Sequence, residues 1–193
     1  MQKIISLFQR NYDGDRLVRD EVTPGAEWVL NGEGIPTIKW DGTCCMIKNN
    51  EFYKRYDAKH GKVPPIGFIP AQEPDPITMH WPGWIKVGSD KEDKYHREAF
   101  SEQQYWEDGT YELCGPKVNG NKQKLTRHIL IKHGDTVAGT VDLPIPKPIT
   151  FDALKSFFAA IDGQAHKDIE GIVWHHPDGR MVKIKKKDFG YKW

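Results

Sequence analysis

Asp41-Gly42 is the feature that most restricts what this chain can become, because it breaks a β-type stretch just after a lysine. Thr37-Ile38 leads into Lys39, and Thr43-Cys44-Cys45-Met46-Ile47 leads away from the break. Asp and Gly both tolerate the backbone conformations of a tight turn, so the pair marks a junction between two elements. The run after it suits a pleated strand. Phe52-Tyr53-Lys54-Arg55-Tyr56 reads as its hairpin partner across Asn49-Asn50.

The remaining pattern alternates strands with two helices. Residues 57–84 gather Gly and Pro, including Pro64-Pro65 and Glu73-Pro74-Asp75-Pro76, and read as a long irregular segment that Phe68, Trp81 and Trp84 pack down. Within it Trp81-Pro82-Gly83-Trp84 reads as a loop whose default role is packing, with contact to an RNA end or a triphosphate as the alternative. Lys91 to Trp106 is expected to be helical, capped by Ser89 or Asp90. Gly109–Cys114 and Ile129–Ile131 read as strands, and Val141 to Ile149 as extended and Pro-rich. Thr150 caps a helix from Phe151 to Ile161, in which Phe151, Leu154, Phe157, Phe158 and Ile161 fall at helical spacing and face a core. Ile169–Trp174 and Met181–Lys185 form a hairpin across His176-Pro177-Asp178-Gly179. The expected class is α+β, with mainly antiparallel sheets flanked by helices, in one domain spanning residues 1–193.

Composition narrows the function classes. With 38% apolar and 11% aromatic residues, the 193-residue chain can build a real core. The N-terminal apolar run is too short for a signal peptide, and no run approaches the ~18 apolar residues that span a bilayer. Cys44, Cys45 and Cys114 cannot all pair internally, which points to a reducing compartment and a cytoplasmic location. There is no Cys-x-x-Cys, and Cys44, Cys45, His175 and His176 lack metal-ligand spacing. A net charge of +1 is unlike a strongly basic nucleic-acid protein. The charge is uneven, however: Arg180, Lys183, Lys185, Lys186, Lys187 and Lys192 stand against Asp188 near the end. Alone, that run reads as a solvated basic tail; its position just after Glu-Gly-Ile-Val shifts the reading toward phosphate chemistry.

The chemistry lies in residue types at long range. Lys39-x-Asp41-Gly42 is followed by Glu112 in Tyr-Glu-Leu, then Glu170-Gly171-Ile172-Val173, then Lys183-Ile184-Lys185. Lys-x-Asp-Gly alone would arise by chance in a chain of this length about one time in twenty-five. A lysine amine attacks only when neutral, and its reference pKa near ~10.4 leaves roughly one in a thousand neutral at pH 7. Nearby cations or desolvation lower that value. Lys183, Lys185 and a divalent metal would supply such cations and would neutralise an α-phosphate. Glu170 supplies a carboxylate for Mg²⁺, with Mn²⁺ as an alternative, and Glu112 offers acceptors to ribose hydroxyls. Together these types describe nucleotidyl transfer.

This order resembles motifs I, III, IV and V of the covalent nucleotidyltransferases, the polynucleotide ligases and mRNA capping enzymes. The resemblance implies an adenylation domain in which Lys39 attacks the α-phosphate of ATP to form a lysyl-N-AMP. It implies catalytic roles for Lys39, Asp41, Lys183 and Lys185, and a metal role for Glu170. It implies nucleotide contacts for Ile38, Gly42, Arg55, Glu112, His133 and Val173. Two departures stand out. His128-Ile129-Leu130-Ile131-Lys132-His133 lacks the aromatic that normally stacks on the base, leaving His133 as the stacking residue or as a core or capping histidine. The sequence runs only eight residues past Lys185, so no C-terminal OB domain is expected.

A closer resemblance rests on Lys-x-Asp-Gly-Thr-Cys-Cys at 39–45, Pro-Asp-Pro-x-Thr-x-His-Trp-Pro-Gly-Trp at 74–84, Asn-Gly-Asn at 119–121, His-x-Leu-Ile-x-His-Gly at 128–134 and Glu-Gly-Ile-Val-Trp-His at 170–175. These are similar to the compact, single-domain ATP-dependent RNA ligases known in vertebrates, with viral and microbial relatives. That resemblance implies an enzyme joining RNA 5′-phosphate and 3′-hydroxyl ends, as in RNA repair, with RNA on the basic surface near Lys185 to Lys187 and no protein partner or membrane involved. DNA ligation, GTP-dependent capping, and a non-enzymatic nucleotide- or RNA-binding module are the alternatives.

Overall fold

The computed structural model describes residues 4–59, 61–136, 143–162, 164 and 169–193. In chain order its strands are β1 Ile5–Ser6, β2 Phe8–Arg10, β3 Val18–Val22, β4 Ile35–Lys39, β5 Thr43–Lys48, β6 Glu51–Lys59, β7 Ile69–Pro70, β8 His80–Lys86, β9 Gly109–Cys114, β10 Ile129–Lys132, β11 Gly171–His175 and β12 Met181–Lys185. The α-helices are α1 Glu27–Leu30, α2 Lys94–Phe100 and α3 Phe151–Ile161. The chain divides into a middle unit, Asp41–His133, and a flanking unit, Ile4–Trp40 with Gly134–Trp193.

The flanking unit is organised by a sheet in the order β1-β12-β11-β4, in which only β1 and β12 run parallel. Register fixes what each face carries. Ile38, Ile172 and Ile184 lie opposite one another across β4, β11 and β12, and so share a face. Ile172 and Ile184 are buried with Leu7, Phe8, Trp174 and Val182, and Ile38 packs against that cluster. The residues one step along, Lys39, Gly171 and Lys185, necessarily share the other face, together with Thr37, Val173 and Lys183. Helix α3 closes the core as its spacing requires: Leu154, Phe158 and Ile161 are buried, and Thr150 Oγ1 accepts from Ala153 N at 3.2 Å. Burying Leu154 and Phe158 contributes about 1.5–3 kcal/mol each. Phe151 meets Phe8 and Phe189 edge-on, with centroids 5.1 and 5.2 Å apart.

The middle unit is an antiparallel sheet in the order β10-β9-β5-β6-β8-β7. Asn49 and Asn50, at φ 52° and 58°, form the two-residue turn of the β5–β6 hairpin, the left-handed pair that asparagine tolerates. Cys45, Ile47, Phe52, Tyr111 and Leu113 form a core with Ala99 of α2, Trp106 and Val118. Phe100 stacks on Phe52 with centroids 4.9 Å apart. The alternate positions, Cys44, Met46, Thr110 and Glu112, turn to the other face.

Several sequence expectations need correction. The helix expected to reach Trp106 is a 3₁₀ turn, Lys91–Asp93, followed by an α2 that stops at Phe100. The carbonyl of Phe100 is taken by Trp106 Nε1 at 2.9 Å, so tertiary packing ends the helix. Trp81-Pro82-Gly83-Trp84 is no loop: it lies in β8, which pairs with β6 from Tyr53↔Lys86 to Lys59↔His80. Gly83 is required there because a Cβ would fall 2.3 Å from the Phe68 ring. The C-terminal basic run is not a solvated tail either. Lys186 is 0% exposed and pairs with Asp162 at 2.8 Å, and buried Asp188 accepts from Arg10 at 2.5 Å and from Lys185 N at 2.9 Å. Of the expected extended stretch 141–149, residues 141 and 142 lie outside the described residues, and 143–149 form no helix or strand. No helix among the described residues is long and apolar enough to cross a membrane.

Candidate functional site

In the flanking unit the lysine set converges by register. Gly171 of β11 is the partner of both Lys39 on β4 and Lys185 on β12. At a strand spacing of about 4.8 Å, the two lysines lie about 10 Å apart across a strip without a side chain. No larger residue fits that strip: a Cβ on Gly171 would meet the Ile184 carbonyl oxygen at 2.2 Å. Val173, beside Gly171 on the same face, pairs with Thr37 on one side and Lys183 on the other. The Thr37 hydroxyl donates to the Val173 carbonyl at 3.1 Å, and His175 Nε2 lies 3.1 Å from the same hydroxyl.

Glu170 immediately precedes β11, is only 7% exposed, and its Oε2 accepts from Lys39 Nζ. Its backbone is fixed as well, because its carbonyl accepts from Lys186 N at 2.9 Å. The face therefore holds Lys39, Lys183 and Lys185 together with one buried carboxylate. Burial pulls the Lys185 ammonium down from 10.5 to about 8, and the like charges of Lys187 and Lys183 act in the same direction, while Asp188 and Glu170 oppose them. Ile38 is the exception among the expected residues, since its side chain packs toward the core on the face away from Lys39.

In the middle unit the other expected residues gather on the face turned from its core. Glu112 is the cross-strand partner of Cys44 on one side and of Ile131 on the other. Its Oε1 accepts from Gly42 N at 3.1 Å, and its Oε2 lies 3.0 Å from His133 Nε2. His133 Nδ1 lies 2.9 Å from Thr110 Oγ1, so both ring nitrogens are engaged. Gly42 must be glycine: a Cβ there would lie 2.3 Å from the Leu113 carbonyl oxygen and 2.8 Å from Cys114 Sγ. Arg55, two residues along β6 from Tyr53, shares the face of Met46, and its guanidinium sits 4.9 Å over the Trp84 ring. That contact gives Trp84 a positioning role the sequence did not reveal.

Asn119 was also missed. Its Nδ2 donates to Asp41 Oδ1 at 3.0 Å and to the Gly42 carbonyl at 2.7 Å, so it clamps the Asp41-Gly42 link. The signal was present in Asn119-Gly120-Asn121, where residues 119 and 121 take positive φ values of 43° and 50°. Asn121 folds its own loop by exchanging bonds with Leu125 at 2.9 Å in each direction. The three cysteines are thiols. Burial pushes the Cys45 thiol well above its ordinary range, with Cys44 and Glu112 adding to the effect.

A protein-family model described as RNA ligase 1 matches residues 84–193. The segment contains Glu112, His133, Glu170, Val173, Lys183 and Lys185, and begins after Lys39, Asp41, Gly42 and Arg55. An RNA ligase 1 of Danio rerio is 34% identical over 90 residues, covering 44% of this chain and 25% of that protein. One of Pongo abelii is 27% identical over 229 residues, covering 82% of this chain and 68% of the relative. One of Rattus norvegicus is 36% identical over 89 residues, covering 44% of this chain and 25% of the relative. The chain thus spans about a quarter of two of these relatives and about two thirds of the third.

Proposed function

Because the chain belongs to the RNA ligase 1 family, we propose that it is an ATP-dependent RNA ligase built on a nucleotidyltransferase domain, with Lys39 as its nucleophile. The observation that carries this reading is the register of β4, β11 and β12, which aligns Lys39, Lys183 and Lys185 on one face over a glycine, with Glu170 at its edge. Three cations and one shielded carboxylate on a dry-backed face suit phosphoryl transfer, which relies on positioning and electrostatics.

In the first step the neutral Lys39 amine attacks the α-phosphorus of ATP. A P–N bond forms, the bond to the β-phosphate oxygen breaks, and pyrophosphate leaves. The lysine proton must leave before attack, because only the neutral amine carries the electron pair that forms the P–N bond. Lys183 and Lys185 meet the charge on the α-phosphate as it develops. Lys185, drawn down to about 8, can release its own proton near neutral pH, so it can serve as a proton donor as well as a cation. In the second step an RNA 5′-phosphate oxygen attacks the same phosphorus, the P–N bond breaks, and A(5′)pp(5′)RNA forms. In the third, an RNA 3′-hydroxyl attacks the RNA phosphate and AMP leaves. Mg²⁺ supplies charge neutralisation at the phosphates when bound, and the hard oxygens of Glu170 fit an ion that commonly takes one or two carboxylates besides phosphate.

Within the middle unit, Glu112 offers acceptors to ribose hydroxyls and Arg55 offers a guanidinium to phosphate or ribose. Asp41 and Gly42 shape the link after Lys39, held by Asn119. RNA binding through Lys183, Lys185 and Lys187 weakens as salt rises; buried Lys186 takes no part in it.

The test is ligation of a nicked RNA duplex bearing 5′-phosphate and 3′-hydroxyl ends, with ATP or GTP. Joined RNA and an AMP-capped intermediate with ATP alone support the reading. Capped RNA with GTP, or joining of DNA in preference to RNA, overturns it in favour of the corresponding nucleotidyltransferase. Nucleotide or RNA binding without any covalent product leaves a binding module.

A further inference from the structure

We propose that Cys44, Glu112 and His133 form a binding site for a soft divalent cation of the Zn²⁺ type. The three stand on the face of the middle sheet turned away from its core, Cys44 and His133 partly exposed and Glu112 largely buried between them. One ligand atom from each, the Cys44 sulfur, a Glu112 carboxylate oxygen and a His133 ring nitrogen, lies within 4.8 Å of the other two. Tetrahedral zinc, with bonds of about 2.0–2.3 Å, holds its ligand atoms about 3.3–3.7 Å apart. Small side-chain rotations close that difference. The donor set is diagnostic: thiolate and imidazole select zinc-like ions, whereas Mg²⁺ wants oxygen alone.

The surroundings already have the form of an outer shell. Gly42 N–H donates to Glu112 Oε1 at 3.1 Å, which leaves Oε2 toward His133. Thr110 Oγ1 sits 2.9 Å from His133 Nδ1. A metal-bound imidazole needs its second nitrogen to donate to such a partner, which fixes the tautomer and aims the lone pair. In the neutral ring with its proton on Nε2, that nitrogen donates to Glu112 and Nδ1 accepts from the Thr110 hydroxyl. With metal, the ring proton moves to Nδ1, Thr110 accepts it, and Nε2 binds the ion. A hydroxyl serves in either direction. Balance requires the Cys44 thiol to give its proton to solvent as the S–Zn bond forms, so each ion bound releases one proton from a neutral-imidazole site. Three protein ligands leave a fourth position for water.

A consequence rests on the nucleotide reading above: Glu112 and His133 cannot ligate zinc and receive a nucleoside together. Zinc therefore excludes a nucleoside from this face, and a zinc-selective chelator restores its binding.

Co²⁺, added to metal-free protein, is the spectroscopic probe. The expected result is a near-ultraviolet thiolate-to-cobalt charge-transfer band, displaced by one equivalent of Zn²⁺. Cys44→Ser removes the band, and Thr110→Val, which keeps all three ligands, weakens Co²⁺ binding by about 10–100-fold. His133→Gln, weakening it at least about tenfold, carries the test should Cys44→Ser fail to fold by circular dichroism. No band, or a band unchanged in the variants, overturns the site. Adenylation assayed in the same zinc-free preparation with Mg²⁺ and ATP added back separates the two claims: its failure sinks the ligase reading, while the band still decides the metal site.

Discussion

A Lys185→Met protein should be more stable than its parent at neutral pH, and the gain should fade as pH rises. Lys185 carries its charge in a partly buried position that lowers its pKa from 10.5 to about 8. Between these values the unfolded chain binds more protons than the native one, so native stability climbs with pH through that window. The contribution is therefore in place above about 10.5 and lost as pH falls through about 8. At 1.36 kcal/mol per pKa unit the full linkage would be about 3 kcal/mol. The side chain is only partly buried, and solvent screening reduces this to about 1 kcal/mol. Met keeps the unbranched stem and removes the charge. The backbone bond from Lys185 N to Asp188 at 2.9 Å survives the change. A gain of about 1 kcal/mol raises the midpoint by about 2–4 °C in a chain of this size. Calorimetry of both proteins at about pH 7 and about pH 10 reads the effect directly. A midpoint difference that is negative at neutral pH, or equal at both values, refutes the argument. Adenylation should fall in the same variant, because the cation whose burial is costly is the one the phosphate needs.

Three further outcomes follow from the geometry. Gly171→Ala should destabilise the flanking unit by about 3 kcal/mol, because its Cβ would lie 2.2 Å from the Ile184 carbonyl oxygen; chemical denaturation monitored by tryptophan fluorescence checks this. Asn119→Ala removes two bonds to the Asp41-Gly42 link; it should cost about 1 kcal/mol in stability and slow adenylation without changing which nucleotide is used. Lys186→Gln should leave the salt dependence of RNA binding unchanged, since that lysine is sealed against Asp162, whereas Lys187→Gln should reduce the slope by about 1.

Elements governed by local chemistry were legible in the sequence. Asn49-Asn50 demanded a two-residue hairpin turn, Thr150 supplied a cap, and the apolar spacing of Phe151 to Ile161 could only be a helix buried on one side. The mixed character and the antiparallel pairing followed from these signals. What failed depended on partners far along the chain. Pro82 and Gly83 read as loop residues because punctuation rules see only neighbours; β6 supplies the pairing that makes a strand. Likewise Lys186 read as solvated because nothing near it in sequence reveals Asp162. Motif order suggested Lys39, Glu170, Lys183 and Lys185, but only strand register shows that Gly171 is the shared partner of Lys39 and Lys185. Cys44, Glu112 and His133 lie too far apart in sequence for any metal-spacing rule, and cross-strand pairing brings them together.

The central claim is that Lys39 forms a covalent adenylate. Intact-protein mass spectrometry after incubation with Mg²⁺ and either ATP or GTP, on the parent and on Lys39→Ala, tests it most directly. The account predicts an AMP-sized gain with ATP only, absent in the variant. A GMP-sized gain, a gain that survives Lys39→Ala, or no gain in folded protein freed of bound AMP would contradict it.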